Sequence, residues 1–89
     1  MIAEERTDLK ISATLDNRGS DCASGFVRLL EIVDGLAPGE ILQVLSTDRV
    51  SRRELRDWAA RSGNTLLESR VTGPLWRREY HFLIRKEGS

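Results

Sequence analysis

Eighty-nine residues allow one small domain with a single core and no second lobe. Hydrophobic residues at 39% and charged residues at 31% are ordinary for a globular chain, so disorder is not implied, and no apolar run is long enough to cross a bilayer. The formal net charge of zero argues against a dedicated nucleic-acid binder, although twelve of the fourteen basic residues are arginine.

Met1 to Asp8 are polar and acidic, with no cationic stretch leading into an apolar one. They read as a frayed lead-in over residues 1–8, and the chain reads as a cytoplasmic protein with one domain over residues 9–87. Leu9, Ile11, Ala13 and Leu15 then alternate with Lys10, Ser12, Thr14 and Asp16, the period of a half-buried strand. A short polar turn follows. From Phe26 the apolar residues fall at Phe26, Leu29, Leu30, Val33 and Ala37, which predicts an amphipathic helix closed by Pro38-Gly39. Residues 41–46 are apolar on both faces, as a central strand should be.

The second helix carries the sharpest local signals. Ser51-Arg52-Arg53-Glu54 reads as a capping box, Val50 and Leu55 occupy the positions of a hydrophobic staple, and Ser62-Gly63 supplies a left-handed stop. Residues 65–72 and 76–86 read as two strands of a hairpin turning at Gly73-Pro74, with Trp76, Tyr80, Phe82 and Ile84 on one face and Arg78 interrupting that row. Trp58 and Trp76 are expected at the core or its edge. The order βαβαββ predicts a two-layer α/β sandwich: a four-stranded mixed sheet, with a parallel crossover between its first two strands and two helices on one face.

The chemistry, if the chain has any, lies between residues 15 and 25. The only cysteine, Cys22, stands just before or at the start of the first helix, where unpaired backbone N–H groups and the helix dipole favour thiolate over thiol. Asp16 is expected to shape this loop by accepting backbone hydrogen bonds, together with Arg18, and Gly19 to do so by a positive φ. Asp21 opposes ionisation of the neighbouring thiol, with Arg18 or Arg28 as its counter-charge, and Ser24 is placed to cap the helix. One cysteine cannot close an internal disulfide, and with one histidine, His81, it gives too few ligands for a closed metal site, so neither metal nor cofactor is expected.

Several pieces in order now resemble the TusA/SirA-like sulfur-carrier family. They are Leu15-Asp16-x-Arg18-Gly19-x-x-Cys22, residues 39–44 (Gly-Glu-Ile-Leu-Gln-Val), Thr47-Asp48, Leu55-x-x-Trp58-x-x-x-x-Gly63, Leu66-Leu67 and Phe82-x-Ile84-x-Lys86. The family has a Cys-Pro-x-Pro motif, from which Cys22-Ala23-Ser24-Gly25 keeps only the cysteine; losing the prolines should loosen the thiol loop.

The resemblance implies a sulfurtransferase that accepts sulfur as a persulfide on Cys22 from a protein donor, such as a cysteine desulfurase, and relays it to a protein acceptor. The other reading of Cys22 is a small, partly buried hydrophobe or a relic, in which case the domain is a non-catalytic binding or regulatory module. An RNA-binding domain is the third reading. Against it, Asp48, Glu54 and Asp57 interleave with Arg49, Arg52, Arg53 and Arg56, the hairpin arginines Arg77 and Arg78 take the same discount, and there is no aromatic-rich basic strand.

Overall fold

The computed structural model describes residues 10–20 and 22–87, at Cys22 the backbone alone. The lead-in, Leu9 and Asp21 lie outside the described residues. In chain order the elements are β1 (Ile11–Asn17), α1 (Cys22–Asp34), β2 (Ile41–Ser46), α2 (Ser51–Ser62), β3 (Thr65–Thr72) and β4 (Glu79–Arg85). They form the expected mixed sheet, in the order β1-β2-β4-β3. β1 and β2 are parallel, while β4 runs antiparallel to both β2 and β3.

Side-chain period decides which face is covered. Leu15 of β1, Leu42 and Val44 of β2, and Tyr80, Phe82 and Ile84 of β4 share one face and are buried. They join one core with Leu29 and Val33 of α1 and Leu55, Trp58 and Ala59 of α2, so both helices lie on that face. Phe26 meets Trp58 edge to face at a ring separation of 6.3 Å. Such a pair adds about 1 kcal/mol to the burial of its area and fastens the start of α1 to the middle of α2.

The helix ends are held by side chains that local patterns only partly announce. Lys86 Nζ donates to the Val33 carbonyl (2.8 Å), placing a cation on the negative end of α1. Gly63, at φ +82°, ends α2 as expected. The predicted capping box is not formed. Val50 already has helical dihedrals (φ −68°, ψ −23°), and the Ser51 hydroxyl donates to the Asp48 carbonyl (2.6 Å). The capping side chain is instead Asp48, three residues earlier, whose Oδ1 accepts the Val50 N–H (3.0 Å), while Ser46 Oγ accepts the Asp48 N–H (3.0 Å). Val50 stays half exposed while Leu55 is buried, so the predicted staple does not enclose its first member.

The last strand is shorter than predicted. β4 begins at Glu79, and Trp76 is 84% exposed instead of lining the core edge. The Arg77 N–H donates to the Pro74 carbonyl (2.9 Å), so the chain is turning at residues 74–77. Alternation carried back from Tyr80 through Arg78 to Trp76 assumes an extended backbone that this turn interrupts.

Candidate functional site at the strand ends

Because β1 and β2 are parallel and β4 opposes them, Asn17, Ser46 and Tyr80 lie in register near one end of the sheet. Three connections leave from that end: residues 18–21 before α1, residues 47–50 before α2, and residues 73–78 of the hairpin. Open α/β sheets place ligands beyond the carboxyl ends of their parallel strands, and Cys22 stands at that end as the first residue of α1.

The connection before Cys22 is tied on three sides. Asp16 Oδ1 accepts the Arg18 backbone N–H (3.2 Å) and its Nε–H (2.9 Å), and Asp16 Oδ2 accepts from Nη2 (2.8 Å). Hydrogen bonds from the Arg18 side chain, then from its backbone, hold the Asp16 carboxyl at about 2, below its usual 3.8, and the carboxylate in turn raises the Arg18 guanidinium. Arg18 Nη1 reaches Glu79 Oε1 (3.4 Å), linking the loop to the base of the hairpin. Arg18 is thus engaged by Asp16 and Glu79. The Ser20 N–H closes a turn on the Asn17 carbonyl (3.2 Å), and Gly19, the third residue of that turn, takes φ +84°, where a side chain would be strained. The Gly19 N–H donates to Thr47 Oγ1 (2.9 Å) and so joins the first two connections.

Ser24 requires a correction. It is the third residue of α1, which starts at Cys22 and not at Phe26, so it lies inside the first turn and does not cap the helix. Asp21 is outside the described residues. Arg28 is exposed on α1. Arg49, Arg52, Arg53 and Arg56 are exposed and form no ion pair among the described residues. His81 lies on the uncovered face of the sheet, with Nε2 3.1 Å from Thr72 Oγ1 and 3.6 Å from Glu79 Oε1. Among the described residues no group of side chains has the composition of a metal centre.

Two residues beneath the loop were not singled out from sequence. Asn17 is buried on the helix-facing side of β1, and a Cβ built on Gly25 of α1 would lie 2.1 Å from Asn17 Nδ2. Gly25 is therefore what allows the first turn of α1 to sit down on the end of β1. One signal is readable: period two puts Asn17 on the face of Leu15. Gly25 stands before the helical period that begins at Phe26, so its place inside α1 has no sequence signal. Between the starts of the two helices runs an open groove of about 420 Å³ lined by Ala23, Phe26, Val50 and Glu54.

The family model for the sulfurtransferase TusA matches residues 13–86. The chain belongs to the TusA family. It is 32% identical over 72 residues to the sulfur carrier protein TusA of Allochromatium vinosum, an alignment covering 81% of this chain and 90% of the relative. It is 38% identical over 61 residues to the TusA of Pseudomonas entomophila, covering 68% and 76%. With the TusA of Pseudomonas paraeruginosa the identity is 33% over 77 residues, covering 86% and 92%. The matched stretch includes β1, Cys22 and both helices, and the family's carriers work with protein partners in sulfur relay. Among the described residues no helix is long and apolar enough to cross a membrane.

Proposed function

We propose that this protein is a sulfur carrier whose single thiol, Cys22, takes up sulfur from a protein persulfide and passes it to a protein acceptor. One observation carries the reading: the only cysteine of the chain is the first residue of α1, at the sheet end where three connections meet, within a stretch that matches the TusA family. Backbone N–H groups at a helix start have no intrahelical acceptor, so they and the helix dipole stabilise a thiolate there.

In the loading step the Cys22 thiolate attacks the outer sulfur of the donor's persulfide. The donor's S–S bond breaks, its electron pair leaves on the donor cysteine as thiolate, and a new S–S bond forms on Cys22. Sulfane sulfur moves with no net oxidation, so no external oxidant is required. Delivery to an acceptor cysteine is the same exchange in reverse roles. A carrier with no second cysteine has no internal thiol to expel the sulfur early, and the reducing cytoplasm keeps a lone thiol available. Asp16, Arg18 and Gly19 hold the approach to Cys22, and Asp21 tempers its ionisation.

The test is intact-mass analysis after incubation with a cysteine desulfurase and free cysteine. A gain of one sulfur atom that Cys22→Ser lacks is the expected result. Absence of the adduct, under conditions that load a relative with the Cys-Pro-x-Pro motif, overturns the reading in favour of a binding module.

A further inference from the structure

The hairpin tip has features that the carrier reading leaves unused. Leu75 is 80% exposed and Trp76 84%, the two most exposed large apolar side chains among the described residues. They are adjacent in sequence and are followed by Arg77 and Arg78. Neither arginine has an ion-pair partner among the described residues, whereas Arg18, Arg70 and Arg85 each face a carboxylate.

The tip is built to hold this display. The Arg77 N–H is bonded to the Pro74 carbonyl (2.9 Å), and Pro74 fixes its own φ. Gly73, at φ +86°, allows the backbone to pass where a Cβ would lie 2.4 Å from the Arg77 carbonyl oxygen. A turn ordered before binding loses little conformational freedom when it docks. The tip also leaves the same sheet end as the loop before Cys22, and the Glu79–Arg18 ion pair joins the base of the one to the other.

We propose that residues 75–78 seat this carrier on its protein sulfur donor, with Trp76 entering an apolar pocket on the donor's surface, apart from its persulfide, and Arg77 and Arg78 meeting carboxylates on that pocket's rim. The proposal rests on the carrier reading and names the surface that would make the donor's approach specific. Tryptophan and arginine are the residues that most often dominate protein interfaces, and a cationic fringe without carboxylates of its own is complementary to an acidic one. A zero net charge gives no general attraction to phosphates, which favours a protein over RNA or an anionic membrane as the occupant.

The experiment compares two sulfur sources on the full chain: a purified cysteine desulfurase with cysteine, and glutathione persulfide, which is too small to use a remote docking surface. Trp76→Ala should lower kcat/KM with the desulfurase by roughly tenfold or more, through KM, and leave loading by glutathione persulfide unchanged. Arg77→Glu with Arg78→Glu should also raise KM for the desulfurase, by a factor that shrinks as salt is added. Desulfurase kinetics of Trp76→Ala equal to wild type overturn the proposal. So does an equal loss with both donors, which would place the effect in the fold or at the thiol. Wild type that loads from glutathione persulfide but not from the desulfurase overturns it as well, as does Trp76-dependent binding to phosphatidylserine vesicles or single-stranded RNA. Wild type that loads from neither source ends the carrier reading itself, and this proposal with it.

Discussion

The two parallel strands end in connections of equal length, residues 18–21 and 47–50, each leading into a helix over the same sheet face. Both begin alike: an aspartate accepts the backbone N–H two residues on, Asp16 from Arg18 and Asp48 from Val50. They diverge in where the rest of the bonding goes. The second connection turns inward, with Ser46 and Ser51 buried on either side of Asp48 and bonded to its backbone. The first turns outward, its arginine spanning an exposed Asp16 and the hairpin's Glu79, and its inward anchoring is left to Asn17 against Gly25. One junction is a fixed helix start. The other is a similar turn that leads to Cys22 as the first residue of its helix, with Gly25 packed tightly on Asn17 beneath it.

That contact is the place to break the comparison with the largest effect. Gly25→Ala would put a methyl carbon where Asn17 Nδ2 now lies, 2.1 Å away, and Asn17 is buried and cannot swing into solvent. Overpacking costs about 1–3 kcal/mol, against a gain of up to about 1 kcal/mol from replacing a helical glycine. The expected net loss is about 1–2 kcal/mol, read as a fall in the thermal midpoint of roughly 5–15 °C for a domain of this size. Adding Asn17→Ala should recover part of it, as coupled neighbours do. A Gly25→Ala variant as stable as wild type would mean that α1 is not seated on Asn17.

At the second junction the expected effect is smaller and separates two accounts of the cap. If Asp48 is the cap, Asp48→Ala costs about 1 kcal/mol, while Glu54→Gln, in the capping-box position read from sequence, changes stability by less than about 0.5 kcal/mol. Chemical denaturation with unchanged m-values measures both. The reverse ranking would restore the capping box.

The difference between the two junctions also explains which parts of the molecule were legible. Strand and helix periods set the element order, the mixed sheet and the covered face, because burial acts on every second or every third and fourth residue and leaves that rhythm in the chain. Phe82 and Ile84, Leu29 and Val33, Leu55 and Trp58 are all core residues for that reason. Trp76 was misplaced by the same rule, since a period says nothing about where the backbone stops being extended. Ser51 looked like a cap because capping boxes are local patterns, whereas Ser46 and Asp48, which do the work, depend on where β2 ends. Asp16 and Arg18 could be assigned to the loop because they bond to each other two residues apart, and Gly19 because a turn there takes a positive φ. Thr47 and Glu79, which hold the same loop from other elements, have no local signature, and Gly25 stands out in the sequence only as the residue at the motif's second proline position.

The smallest effect sharpens the first junction alone. Hydrogen bonds from Arg18 hold the Asp16 carboxyl at about 2, against an ordinary value of 3.8. A carboxyl group whose folded value is depressed stabilises the fold above its unfolded value and ceases to do so as pH falls through the folded one, so the contribution of Asp16 fades between about 4 and about 2. Both partners are open to solvent, and screening keeps the effect on stability small. The titration itself is the better readout. The Asp16 side-chain carbon followed by NMR should show a midpoint near 2 in low salt, moving towards 3.8 in concentrated salt and in Arg18→Gln. An ordinary midpoint in the wild-type chain would mean that Arg18 does not hold Asp16 in solution. The loop before Cys22 would then lack the ion pair between Asp16 and Arg18.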